Sequence, residues 1–164
     1  MRVFVTVGTT KFACLVSEVL SPDIQTQLLE LGFTSMTIQT GQNTLDNNLV
    51  KDCKLDVSFY NYKPSLSEDI LSADLVISHA GAGTCLEVLG AGTSLIVIVN
   101  DQLMDNHQLE LADRLARDCV LVCGAVDSLG QTIHHWDRQR NSLAHYTQGD
   151  ATIFSRFIDQ LMQV

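Results

Sequence analysis

The chain has 164 residues, 46% of them hydrophobic and only 2 of them proline, with a formal net charge of −9. That length and composition predict one ordered domain with room for a core and exclude a disordered chain. The negative balance excludes general binding to a phosphate backbone, although a helix N-terminus can take a phosphate locally without any lysine.

In chain order, residues 2–7 form a β-branched run ended by Gly8 and read as a buried first strand. Residues 12–31 are helical in pattern and break at Ser21-Pro22, where proline suits the first position of a second helix. Residues 34–40 read as a strand ended by Gly41, residues 42–54 as an Asn-rich surface loop, and residues 55–60 as an alternating strand. Pro64-Ser65 opens a short helix, with Ser65 and Glu68 at capping-box spacing. A strand over 75–78, a helix over 82–91 and the continuous apolar strand "LIVIV" over 95–99 follow. Then come a helix over 105–117, a strand over 120–123 and a helix over 126–140. Residues 149–164 read as a C-terminal amphipathic helix, with Ile153, Phe154, Phe157, Ile158 and Leu161 on one face. Docking on the chain's own sheet is the favoured role for that helix, ahead of contact with a partner.

Strands alternating with helices predict a single α/β domain over residues 1–164, with a mostly parallel sheet covered on both faces. The first apolar run is too short for a signal peptide, and no run approaches the roughly 20 apolar residues of a membrane span, so a soluble chain is expected. The five cysteines are odd in number and scattered. They read as reduced, structural thiols in a cytoplasmic compartment, and their spacing predicts no metal site.

Ligands of parallel sheets sit at the carboxyl ends of the strands. That rule brings "VGTT", "SHAGAGT" and "VNDQLMDNHQ" to one edge. In the second of these, Gly81 and Gly83 allow a tight turn and close approach of a ligand. The helix then begins at Ala82, Gly83 and Thr84, whose free amides favour an anion such as a diphosphate. Glu87, three residues beyond Thr84, shares a helix face with it and can accept hydrogen bonds from the vicinal hydroxyls of a ribose. The bland alternative is a plain strand-to-helix turn with a solvated Glu87. The spacing G-x-G-x-x-x-E differs from the dinucleotide fingerprint and does not favour NAD.

Asn106, His107 and Gln108 cluster at the next helix start, where amide side chains suit sugar hydroxyls; an Asp105–Gln108 capping box is the plain alternative. Gly8, Thr9 and Thr10 follow the first strand and either cradle a phosphate or simply turn the chain. His79, between strand and glycine turn, is a weak catalytic candidate as acid or base. His134 and His135 read as solvated residues of a surface helix.

"VFVTVGTT", "DLVISHAGAGTCLEVL" and "NDQLMDNHQLELADRL" together closely resemble the cytosolic catalytic subunits of dolichol-linked N-acetylglucosaminyltransferases. These are glycosyltransferase family 28 C-terminal domain-like proteins that add the second GlcNAc in asparagine-linked glycan assembly. The resemblance runs from about residue 2 to 122 and is less clear after Gly124. Thr93-Ser94 stands where relatives often carry proline.

The resemblance implies a Rossmann-like domain equivalent to the donor-binding half of a GT-B glycosyltransferase. That enzyme inverts the anomeric centre and needs no metal or other cofactor. It also implies UDP-GlcNAc as donor and dolichyl-diphosphate-GlcNAc as acceptor, with the diphosphate at residues 81–84, the ribose at Glu87 and the GlcNAc hydroxyls at residues 106–108. A GT-B enzyme needs two such domains and this length holds one. A membrane-anchored, acceptor-binding partner subunit is therefore implied, holding this chain at the cytosolic face of the endoplasmic reticulum. The competing expectations are a non-catalytic UDP-sugar-binding regulatory module and a split glycosyltransferase using another UDP-sugar.

Overall fold

In the first strand, Val3 and Val5 point to one face and Phe4 to the other, and all three are fully buried. A strand apolar on both sides belongs in the middle of a covered sheet. The computed structural model describes residues 1–43, 50–99 and 107–147, without the side chains of 107–109 and 111. Its strands are β1 (Arg2–Thr6), β2 (Ser35–Gln39), β3 (Asp56–Tyr60), β4 (Leu75–His79), β5 (Ser94–Val99) and β6 (Val122–Ala125). They form one six-stranded sheet in the order β3-β2-β1-β4-β5-β6. Every pairing is parallel.

The helices are α1 (Ala13–Val19), α2 (Pro22–Glu30), α3 (Ser67–Ser72), α4 (Ala82–Gly90), α5 (His107–Arg117) and α6 (Leu129–Gln139). Two cores result, one on each side of the sheet. Val3, Val5, Ile38, Ile77 and Ile96 pack with Leu15, Leu28, Ile133 and Trp136 of α1, α2 and α6. Phe4, Val76, Leu95 and Val97 pack with Ile70, Val88 and Leu115 of α3, α4 and α5. Among the described residues no helix is long and apolar enough to cross a membrane.

Local chemistry sets the helix ends. Pro22 begins α2, and the Ser21 hydroxyl caps it by accepting the Ile24 amide at 3.4 Å. After α2, Gly32 takes φ +90° and the Phe33 amide reaches back to the Leu28 carbonyl at 3.0 Å.

Two expectations are corrected. The helix near Pro64 starts at Ser67, not at Ser65, and the Ser65–Glu68 capping box does not form. The Ser65 hydroxyl instead accepts the Ser67 amide at 3.2 Å in a tight local turn. The sixth strand runs over Val122–Ala125, not from residue 120. Residues 119 and 120 are used to close α5: the Cys119 and Val120 amides return to Ala116 and Leu115 at 3.0 and 3.2 Å, with Cys119 at φ +56°. A short 3-10 turn (Val126–Ser128) then precedes α6. The expected C-terminal helix, the Asp105–Gln108 cap and the centre of the 42–54 loop lie outside the described residues. His134 and His135 are exposed on α6, as read from the sequence.

Candidate functional site

Chain order runs from β1 outward through β2 to β3, then returns to β4 and runs the other way through β5 to β6. The loops leaving β1 and β4 therefore diverge and open a crevice between them, which is where such sheets bind ligands. A cleft of about 400 Å³ lies there. Gly8, Thr9, His79, Gly81, Ala82, Gly83, Thr84 and Glu87 all line it, so two of the three segments singled out in the sequence meet at one site.

Thr10 is not among the lining residues. Its hydroxyl donates to the Val7 carbonyl at 2.7 Å and closes the turn after β1. Gly8 takes φ +61°, and its amide donates to the Thr6 hydroxyl at 3.1 Å. Of the third segment, His107 and Gln108 open α5, but their side chains lie outside the described residues, as does Asn106 altogether.

The start of α4 is chemically open. Gly81 is its N-cap, no side chain caps the helix, and its first turn holds no acid. Amides at such a start are donors aimed outward. A Cβ placed on Gly83 would meet nothing within 4 Å, so its missing side chain leaves room beside those amides. Glu87 is exposed on the next turn, and the Ser67 hydroxyl donates to its Oε1 at 3.0 Å.

His79 is 6% exposed and is wedged between the two glycine turns. A Cβ on Gly8 would come within 2.7 Å of its Cε1, and one on Gly81 within 2.8 Å. Both glycines are thus demanded by the imidazole as much as by any ligand. Burial pushes the imidazole pKa below its usual value, and the Thr6 backbone offsets this only in part. Its Nδ1 is buried without a hydrogen-bond partner. A neutral ring is the form such a setting favours.

The opposite wall was not anticipated. Tyr62, Lys63, Pro64, Ser65 and Leu66, which follow β3, line the cleft with Gln39 from the end of β2. The Thr6 hydroxyl holds the Gln39 side-chain oxygen, and Gln39 is almost fully buried. Lys63 Nζ contacts Asp69 Oδ2 at 2.8 Å and Oδ1 at 3.0 Å and lies 4.2 Å above the Tyr60 ring. The Tyr60 hydroxyl donates to the same carboxylate at 2.5 Å. Burial first, then Asp69, pushes the Tyr60 pKa far up, so the phenol stays protonated. The signal for this wall was available, because the segment follows a strand and the strand-end rule applied to it as well. A smaller hollow of about 180 Å³, lined by Gly41, Gln42 and Asn61, shares Gly8, Thr9 and Tyr62 with the main cleft. Among the described residues no group of three His, Cys, Asp or Glu side chains is placed to hold a metal ion.

A doubly wound parallel sheet with a cleft at this switch point defines the class as a Rossmann-like domain, the kind that forms one half of a GT-B glycosyltransferase. The chain belongs to the glycosyltransferase family 28 C-terminal domain family, whose model matches residues 2–161. It is 47% identical over 116 residues to the human UDP-N-acetylglucosamine transferase subunit ALG13, an alignment covering 71% of this chain and 10% of that protein. It is 40% identical to the subunit of the same name from Yarrowia lipolytica, covering 79% of this chain and 68% of that one. The chain thus spans 10% of the length of its human and mouse relatives. An ALG13 solution structure superposes with a TM-score of 0.67 at 26% identity, covering 95% of this chain and 94% of that one. MurG of Acinetobacter baumannii shares the fold, with a TM-score of 0.66 at 19% identity over 87% of this chain and 42% of that chain.

Proposed function

We propose that this chain is the donor-binding, catalytic subunit of a heteromeric glycosyltransferase. It transfers GlcNAc from UDP-GlcNAc to dolichyl-diphosphate-GlcNAc and forms the chitobiose core of a lipid-linked oligosaccharide. The observation that carries the reading is the uncapped start of α4, which opens into the cleft with Glu87 one turn further on. The name shared by the relatives supports both the donor and the character of a subunit.

In this reading the amides of Ala82, Gly83 and Thr84 take the diphosphate and Glu87 takes the ribose hydroxyls. Asn106, His107 and Gln108 meet the GlcNAc hydroxyls. The acceptor 4-hydroxyl attacks the anomeric carbon from the face opposite the diphosphate. A new C–O bond forms, the bond to the β-phosphate oxygen breaks, and its electron pair leaves with UDP. The negative charge that builds there is stabilised by donors already in place at the helix start. The hydroxyl proton passes to a base, for which His79 is the candidate within this chain. The acceptor site and the membrane anchor belong to a separate partner that holds the chain at the cytosolic face of the endoplasmic reticulum. The word subunit in the relatives' shared name supports such a partner.

The test is transfer of labelled GlcNAc from UDP-GlcNAc to a lipid-diphosphate-GlcNAc acceptor, with the chain alone and with its membrane-anchored partner. Transfer only in the second case is expected. Donor binding without transfer in either case would identify a regulatory binding module instead. Preference for UDP-glucose or UDP-GalNAc in competition would assign another donor.

A further inference from the structure

Glu87 lines the cleft, and among the described residues no lysine or arginine forms an ion pair with it. An exposed glutamate of that kind ordinarily samples many rotamers, and fixing one costs side-chain entropy. Glu87 is instead reached by a chain of two hydroxyls. The Ser67 hydroxyl donates to its Oε1 at 3.0 Å, and the hydroxyl oxygens of Ser65 and Ser67 lie 2.9 Å apart. Counting protons sets the direction of that chain. A serine has one hydroxyl proton and a carboxylate has none to give, so Ser67 donates to Glu87 and accepts from Ser65. The Ser65 oxygen in turn accepts the Ser67 amide at 3.2 Å, which fixes it against the first turn of α3. Hydroxyls aligned donor to acceptor polarise one another, which strengthens the last bond of the chain.

Ser65 and Glu87 line the cleft, whereas Ser67 does not. Ser67 therefore acts on a ligand only through Glu87. A carboxylate has roughly four lone-pair sites, so one given to Ser67 leaves acceptor capacity for two further hydroxyls. Held in one rotamer, the carboxylate also loses less entropy when those hydroxyls arrive. A group with no proton of its own favours a ligand only through the donors that ligand brings. We infer that Ser67 is a positioning residue: it presets Glu87 for a vicinal diol and so sharpens the preference for a ribonucleotide over its 2′-deoxy counterpart, with Ser65 orienting Ser67. The inference rests on the ribose contact proposed for Glu87 and names what gives that contact its selectivity. The competing role is a hydroxyl pair that only closes the turn into α3.

UDP and 2′-deoxy-UDP separate the two roles, since they differ by one hydroxyl. Each is titrated calorimetrically into the chain assembled with its partner. The proteins are the unmodified chain, Ser67→Ala, Ser67→Thr, Glu87→Ala and the double variant of Ser67→Ala with Glu87→Ala. The unmodified assembly is expected to prefer UDP on the order of tenfold, the scale of one hydrogen bond to a charged group. Ser67→Ala should weaken UDP about two- to fivefold and 2′-deoxy-UDP by less, so that the preference narrows. Ser67→Thr, which keeps the hydroxyl, should restore it. Once Glu87 is alanine, adding Ser67→Ala should change neither affinity, because the two residues act as a unit. An unchanged preference in Ser67→Ala would overturn the inference, and an equal loss for both ligands would leave the serines as turn residues. If Glu87→Ala abolishes the preference while Ser67→Ala keeps it, the ribose contact stands and this inference alone falls. If Glu87→Ala retains the full preference, the ribose lies elsewhere, and the proposed contact and this inference fall together.

Discussion

The Ser67 hydroxyl donates to Glu87 Oε1 at 3.0 Å and ties the first turn of α3 to α4 beside the cleft. One oxygen of the carboxylate is thereby held, and in the proposed function the carboxylate takes the ribose hydroxyls. Glu87→Ala should weaken UDP by about 2 kcal/mol, the scale of hydrogen bonds to a charged group. Ser67→Ala should cost less, roughly 0.5–1 kcal/mol, because it releases the carboxylate without removing it. Calorimetric titration with UDP reads both, and equal affinity for the unmodified chain and Glu87→Ala would place the ribose elsewhere.

Gly81 and Gly83 should respond oppositely to the same substitution. A Cβ on Gly81 collides with the His79 ring, while one on Gly83 meets nothing. Gly81→Ala should therefore destabilise the fold by about 1–3 kcal/mol, the usual cost of overpacking. Gly83→Ala should leave stability unchanged or raise it by up to ~1 kcal/mol, since alanine favours a helix, yet lose UDP affinity because the methyl group fills the space beside the amides. Urea denaturation and UDP titration on the two variants make the comparison.

His79 also carries a pH signature. Its folded pKa lies below the ordinary value of 6.5 through burial, so the unfolded chain binds the proton more readily. Below about pH 6.5 the unfolded state therefore gains protons that the folded state does not, and stability falls with pH until the folded imidazole titrates as well. Denaturation midpoints between pH 5 and 8 should fall more steeply towards acid in the unmodified chain than in His79→Asn. Parallel profiles would mean that the ring titrates normally in the folded protein.

Cys119 takes φ +56° where helices commonly end on glycine. A non-glycine residue pays about 1 kcal/mol in this conformation, so Cys119→Gly should stabilise the chain by roughly that amount. Cys119→Val, branched at Cβ, should destabilise it. Thermal melts of the pair under reducing conditions check the sign of each change.

The site was legible in the sequence where one short segment carried its own chemistry. Gly81, Gly83 and Glu87 stand within seven residues, and a strand before them with a helix after them was enough to place a glycine turn and a helix start at the cleft. The role of His79 in shaping that turn was not legible, because the ring that occupies the space beside Gly8 and Gly81 meets Gly8 only across the sheet. Ser67 was passed over for a similar reason: a serine next to Glu68 and Asp69 looks like a helix start, and its bond to Glu87 spans 20 residues. Thr10 reads from the sequence as either a phosphate-cradling or a turn residue, and its hydroxyl closes the turn after β1.

The alternation of apolar runs with amphipathic stretches determined the α/β class, the parallel sheet and most element boundaries, because burial of side chains follows the local period of each element. Proline at position 22 and glycine at positions 8 and 41 marked where elements start and stop, through backbone preferences that act within a few residues. Strand order, and hence which loops meet, was decided only by the tertiary structure. It set β1 beside β4, so the turns at Gly8 and Gly81 share one imidazole. It also brought Lys63, Asp69 and Tyr60 together into a fixed cation at the same cleft. Such contacts join residues far apart along the chain, and no local pattern encodes the distance between them.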